Sequence, residues 1–401
     1  MTACGACAPR SRRNRSLPNR LVALTAALLA TAALCVPAAG ASRYLQHGIF
    51  DDNEINYGNP DKVFPMLAQL RTKMIRVNLV WGGPNGVAKR RPANPINPND
   101  PAYDWSVYDR TVNYATQHRI KVVFAVLGTP PWANSAAGTN VAPRNMLDLQ
   151  RFATAAARRY DGTFKARDGR TLPPVRHWLA WNEPNNPAFL KPQYRKVAGR
   201  WVPQSPVDYA KICNAIYKGV SVTTLGASKV ACGVTGPRGN NEPSSARPAL
   251  APIAFLRGMK KAGALRFDAY AHHPYYGRPT ETPSTPPPPG KHGNETTAVT
   301  LGNINVLVKE LTKLYGNKRL WITEYGYQTT PDRAFGVSLA KQATYMRQAW
   351  TKAKRHPRID MFLWFLLKDE RRLTAEGWQS GLLSAGNAKK PAFAAFQRLG
   401  G

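Results

Sequence analysis

The sequence is short of acid. Its 401 residues hold 23 Asp and Glu against 56 Lys and Arg, a formal net charge of +33. It also lacks the patterns that announce several kinds of chemistry. There is no His-Glu-x-x-His, and beyond residue 41 there is no Cys-x-x-Cys, so no metal is expected. His118, His177 and His356 fall on separate predicted elements. A serine nucleophile would lack its Gly-x-Ser-x-Gly turn. No Gly-rich turn follows the first apolar run, which removes the usual companion of a doubly wound phosphate-binding sheet. No cofactor is implied. Past the N-terminal segment, no apolar run approaches the ~18–20 residues of a membrane span. Neither an internal repeat nor a linker long enough to separate domains is present.

The N-terminus differs in kind. Arg10, Arg12, Arg13, Arg15 and Arg20 precede an apolar stretch, Leu21 to Val36, and then Pro37-Ala38-Ala39-Gly40-Ala41. Basic, then apolar, then small residues is the layout of a secretory signal. The expectation is a signal peptide over residues 1–41, a single catalytic domain over 42–401, and a secreted, extracellular product with no membrane association after cleavage. A retained membrane anchor is the alternative. Beyond the leader only Cys213 and Cys232 remain, a pair that an oxidising compartment would bond. Two buried free thiols are the competing reading. Without the five leader arginines the charge is still +28. Such a surface attracts polyanions, nucleic acid or anionic polysaccharide alike. The basic residues are scattered rather than clustered, however, and no nucleic-acid-binding motif accompanies them, so no specific nucleic-acid partner is expected.

From residue 45 short apolar runs alternate with amphipathic ones. Strands are predicted at Leu45–Phe50, Met74–Val80, Ile120–Leu127, Val175–Trp181, Val230–Val234, Phe267–Ala271, Leu320–Thr323 and Met361–Leu366. Helices are predicted at Pro60–Arg71, Trp105–His118, Arg144–Tyr160, Pro206–Thr224, Leu250–Ala262, Ala298–Leu314, Phe335–His356 and Pro391–Leu399. Asn59-Pro60 is a start signal, a capping side chain followed by proline at the first helical position. Gly226, Gly263 and Gly316 stand where helices should stop. Strict alternation means parallel strands joined by crossover helices, and eight such units close into a single (β/α)8 TIM barrel. The strand-to-helix links are the long ones, which places long loops on the C-terminal face, where barrel active sites sit.

Two glutamates end strands on that face. Glu183 lies in WNEPNNP after the fourth strand. Glu324 lies in LWITEYGY on the seventh, where simple alternation would put it on one face with Leu320 and Ile322. Opposed carboxylates are what glycosidic bond cleavage requires, one to donate a proton and one to attack or to activate water. Arg76, inside the apolar MIRVNLVW, needs a carboxylate partner, either Glu324 or Asp51. Asn182 precedes Glu183. His272-His273-Pro274-Tyr275 ends the sixth strand. There Tyr275 is in place to donate to Glu324, His273 to line the floor, and one of the two histidines to serve structure alone. Trp364, in MFLWFLL, is a candidate sugar platform, as are Trp81, Trp132 and Trp378 in the loops.

This set resembles clan A glycoside hydrolases, particularly families 5 and 39. Arg76, Asn182-Glu183-Pro184, His273-Pro274-Tyr275, Glu324 and Trp364 carry the resemblance, which extends over nearly all of the chain from residue 45. It implies Glu183 as acid/base, Glu324 as nucleophile, retention through a glycosyl-enzyme, Arg76 and Tyr275 beside the nucleophile, and Asn182 on a sugar 2-hydroxyl. Family 5 members usually carry a His near the third strand. LGTPPWAN offers Trp132 instead, which keeps family 39 open. The expected partner is a polysaccharide or oligosaccharide. A non-catalytic barrel that binds an anionic cell-surface polysaccharide is the alternative.

Overall fold

Each apolar run expected as a strand is one. The computed structural model describes residues 42, 44–223, 227–289, 297–371 and 377–399. The leader expected over 1–41 and the stop expected at Gly226 lie outside them. The barrel strands are β1 (Gln46–Phe50), β2 (Met74–Val80), β3 (Lys121–Leu127), β4 (His177–Ala180), β7 (Lys229–Thr235), β8 (Ala269–His272), β9 (Arg319–Tyr325) and β10 (Ile359–Phe365). All pair in parallel, and β10 returns to β1, so the eight close in the order β1-β10-β9-β8-β7-β4-β3-β2. The remaining two strands, β5 (Tyr194–Val197) and β6 (Arg200–Pro203), form an antiparallel hairpin inside the loop after β4. The sequence pattern predicts no strand there. The hairpin is short and exposed, with no apolar face for such a pattern to reveal.

Helices lie between the strands: α1 (Pro60–Gln69), α2 (Ser106–Gln117), α3 (Pro131–Asn134), α4 (Met146–Arg159), α5 (Ser205–Val220), α6 (Pro252–Lys261), α7 (Ile304–Tyr315), α8 (Leu339–Arg355) and α9 (Pro391–Gln397). Asn59 Oδ1 accepts from the Asp61 amide at 3.0 Å and caps α1, with Pro60 at its first position. Gly316 ends α7 at φ +74°, where a Cβ would be strained. No described helix is long and apolar enough to cross a membrane.

The core has two layers. Met74, Val123, Ala125, Leu179, Ala231, Ala269, Trp321, Met361 and Leu363 fill the barrel, while the alternate residues of the same strands pack outward on the helices. The structure also settles the cysteines. Cys213 of α5 and Cys232 of β7 are bonded, with their Cα atoms 5.9 Å apart, and tie the helix to the strand it packs on. The bond closes a short loop and restricts the unfolded chain. Replacing both cysteines by Ala is expected to lower the unfolding free energy by about 3 kcal/mol, measured as the shift of the denaturant midpoint.

Candidate active site

The strand ends leave a cleft of about 700 Å³ on the C-terminal face. Glu183, Glu324, Asn182 and Tyr275 all line it. A carboxylate oxygen of Glu183, one of Glu324 and a ring nitrogen of His273 lie within 4.8 Å of one another.

Glu324 reaches the cleft by a route that alternation does not predict. Leu320 and Ile322 face the helices, not the barrel. Ile322 is opposite Phe362, and Tyr325 is opposite Trp364, so β9 holds one extra residue there. This bulge turns Thr323 and Glu324 inward together, with Tyr325 back in the outer core. The expectation that Leu320, Ile322 and Glu324 share one face is therefore corrected, although the destination of Glu324 stands. Glu183 depends on a similar break in periodicity. Trp181 adopts φ +72° and stays in the outer core, its indole N–H donating to the Phe189 carbonyl at 2.7 Å. Glu183 itself sits at φ +35°. Such backbone costs about 1–3 kcal/mol per residue and persists only where neighbours enforce it. Here Asn185 enforces it. Its side-chain amide donates to the carbonyls of Gly236, Arg238 and Leu250, and its Oδ1 accepts from the Gly236 amide at 2.8 Å.

Arg76 is fully buried, and its partner is Glu324, not Asp51. Nη1 donates to Glu324 Oε1 at 2.5 Å, and Nη2 to Asn182 Oδ1 at 2.7 Å. Asp51 instead accepts from the amides of Glu54, Leu367 and Lys368. Tyr275 Oη donates to Glu324 Oε2 at 3.0 Å, so both oxygens of that carboxylate are held. With its Oδ1 engaged by Arg76, Asn182 has its amide nitrogen for a ligand hydroxyl.

His273 links the two acids. Its Nε2 lies 3.2 Å from Arg76 Nη1, which can only donate, so Nε2 accepts. Nδ1 then carries the proton and donates to Glu183 Oε1 at 2.9 Å. Burial first, and the Arg76 charge as well, push His273 down to about 3 against the pull of Glu324, so the ring is neutral. Burial raises Glu183 to about 7, opposed by the Asn186 hydrogen bond and by the charges of Arg76 and Arg247. It is protonated below that pH and ionised above it. Glu183, His273 and Glu324 have the spacing to hold a cation. The Arg76 guanidinium already supplies positive charge to Glu324.

The other predicted site residues divide. His273 and Arg76 are wholly buried and position the carboxylates rather than touch the cleft. His272 is the structural histidine, bonded to Thr235 and the Val299 carbonyl. Trp364 is not a platform. It faces the helices, its indole N–H donates to the Ser380 carbonyl, and Phe365, one residue on, lines the cleft. An error of one residue in strand phase reverses the face. Trp132 is also outside the cleft lining, edge-on to the buried Trp81 with its indole N–H on the Ala88 carbonyl. Trp378 does line it, edge-on to Phe365.

Three residues on the cleft wall carry no signal in the sequence. Asp52, raised to about 7 by burial, accepts from the Asn78 amide at 2.9 Å. Arg238 and Arg247 border Glu183 from the loop after β7. In sequence each is one charge among many, and only the strand order brings them to the cleft.

Residues 240–401 match a sequence family described as a family of unknown function, DUF5722. No curated protein matches. Among solved structures, the chain is similar to a family 39 glycoside hydrolase from Bacteroides cellulosilyticus, at 17% identity and TM-score 0.60 over 90% of this chain and 64% of that one. It is similar to a monomeric β-xylosidase from Caulobacter crescentus, at 16% identity and TM-score 0.60 over 90% and 69%. It is also similar to GH5_18 from Bifidobacterium longum, at 11% identity and TM-score 0.56 over 89% and 78%. The chain thus spans about two thirds of the length of the first two. At such identities the likeness is one of fold, and it includes the two branches, families 39 and 5, that the sequence resembles.

A Cβ at Gly236 would lie 2.8 Å from both Cδ and Oε2 of Glu183. If Glu183 acts in catalysis, Gly236→Ala displaces its carboxylate and lowers kcat/KM by roughly tenfold to a hundredfold while the circular dichroism spectrum is kept. In a Glu183→Ala background the same change adds nothing, which a double-mutant comparison reads directly.

Proposed function

We propose that this chain is a secreted retaining β-glycosidase that hydrolyses O-glycosidic bonds of a polysaccharide. The observation that carries the reading is the pair of inward carboxylates, one oxygen of each within 4.8 Å of the other, in opposite environments. Retaining enzymes hold their carboxyl groups about 5–5.5 Å apart, inverting ones about 6.5–9.5 Å, to leave room for water. The spacing here supports retention.

The environments assign the roles. Glu324, held by Arg76 and Tyr275, is the nucleophile: an oxygen bonds to the anomeric carbon as the glycosidic C–O bond breaks. Glu183, protonated through burial, gives its proton to the departing oxygen. The same group, now ionised, takes a proton from water. That water attacks the anomeric carbon and releases Glu324. Two inversions at that carbon leave the product with the original configuration. An open cleft with Phe365 and Trp378 on its wall supports binding along a chain and therefore endo action. The expected leader and the Cys213–Cys232 bond support export.

Two measurements test this reading. A panel of 2-deoxy-2-fluoro aryl glycosides in gluco, xylo, manno and galacto forms is expected to leave one glycosyl adduct, on Glu324 by peptide mass spectrometry. Undiminished hydrolysis by Glu324→Gln would sink the assignment. The pH profile is the second. Catalysis needs protonated Glu183, so kcat/KM falls as pH rises through about 7. Asp52 titrates in the same range, so the limb belongs to Glu183 only if Glu183→Gln abolishes it on a substrate with an activated leaving group.

A further inference from the structure

The two sides of the cleft carry opposite charges. In barrel order β7 lies four strands from β1 in either direction, directly opposite. Asp51 and Asp52 follow β1, and Glu370 comes from the loop after β10; all three line the cleft. Arg238 and Arg247, on the loop after β7, line it from the other side. They also line an adjoining lobe of about 410 Å³, together with Asn186 and Asn240. No described carboxylate borders that lobe.

Both arginines are exposed, and the acceptors they use are neutral. Arg238 Nη1 donates to the Tyr276 carbonyl at 3.0 Å, and Arg247 Nη2 to Asn186 Oδ1 at 3.4 Å. Glu281, whose charge Arg238 feels, has Oε2 on the Gly277 amide at 2.7 Å. The arginines differ in this from Arg159, which closes on Asp109 through two nitrogens. The backbone that presents Arg238 is preset. Asn185 holds its carbonyl, and a bridge to Ala298 holds the segment from the other side.

The position of this lobe gives it a role. Glu183 stands at the end of β4, next to β7 and three strands round from Glu324 on β9. The group that protonates the leaving oxygen faces the leaving sugar. Arg247 belongs to that side, since Asn186 joins it to Glu183: Asn186 Nδ2 donates to Glu183 Oε2 at 3.4 Å while its Oδ1 accepts from Arg247.

We propose that Arg238 and Arg247 form a leaving-group subsite for an acidic sugar, one bearing a carboxylate, next to Glu183. The inference rests on the glycosidase reading above and adds its substrate class. A guanidinium fork matches a carboxylate in plane, and the opposite wall, lined by Asp51, Asp52 and Glu370, offers the same residue no described cation. The charge of the chain as a whole is diffuse. This pair lines a cavity and borders Glu183.

Carboxyl reduction supplies the test. Uronic-acid-containing polysaccharides are compared with the same polymers after their carboxylates have been reduced to neutral hydroxymethyl groups. For the wild type, kcat/KM on the native polymer is expected to exceed that on the reduced one by about tenfold, the size of a charge-assisted hydrogen bond. In the double variant Arg238→Gln, Arg247→Gln the ratio falls to about one, whatever the absolute rates. Equal wild-type turnover of both forms, or a ratio unchanged in the variant, overturns the subsite and leaves the glycosidase reading intact. A preference for sulfated over desulfated polymer without one for carboxylate overturns the carboxylate assignment. No turnover of any polymer or of the aryl glycosides removes the glycosidase reading, and the subsite with it.

Discussion

The arrangement of the site depends on one buried cation. Arg76 is wholly inside, in the middle of β2, where an unpaired guanidinium would be costly by several kcal/mol. Its two terminal nitrogens reach Glu324 on β9, Asn182 beyond β4 and the His273 ring beyond β8, while Nε stays without a partner. Its charge lies 4.2 Å over the Phe50 ring at the end of β1. A single side chain thus ties the ends of four strands to the middle of β2. It also acts on its neighbours, since Arg76 fixes the Glu324 carboxylate through an ion pair and its charge disfavours protonation of His273.

Glu183 is held one step further from that charge. His273 stands between it and Arg76, and burial outweighs the Arg76 charge in its titration. The two carboxylates therefore share a site with different partners, Glu324 held by Arg76 and Tyr275, Glu183 by His273 and Asn186. The separation has a structural cost. The chain leaves β4 through two residues of left-handed backbone, and the Asn185 side chain, fully buried, makes four hydrogen bonds that hold the turn against the loop after β7. The bare face of Gly236 is then the space the carboxylate occupies.

Aromatic side chains near the strand ends divide by strand phase, not by type. Trp364 and Trp81 belong to the layer between strands and helices, whereas Phe365, and Trp378 from the loop above it, face the cleft. On the far wall the arginines after β7 give the cleft an electrostatic direction, from Asp52 and Glu370 toward Arg238 and Arg247.

The sequence by itself determined the repeating unit. Alternation of short apolar runs with amphipathic ones, punctuated by Asn59-Pro60 and by Gly316, is local information, and it located eight strands, their closure into a barrel and the face that carries long loops. It also singled out Glu183 and Glu324, because a charge at the end of an apolar run is visible without coordinates. Whatever depends on counting through an irregularity was left to the tertiary structure. The extra residue in β9 turned Glu324 inward from the wrong phase, whereas Trp364 lies where β10 pairs with β1 in regular register and was lost because its residue type, not its phase, was followed. The partner of Arg76, the bond between Cys213 and Cys232 and the approach of Arg238 and Arg247 to Glu183 join residues distant in the chain. Only closure of the barrel, which sets β7 beside β4 and opposite β1, brings them together, because alternation specifies which residues share a face but not which faces meet.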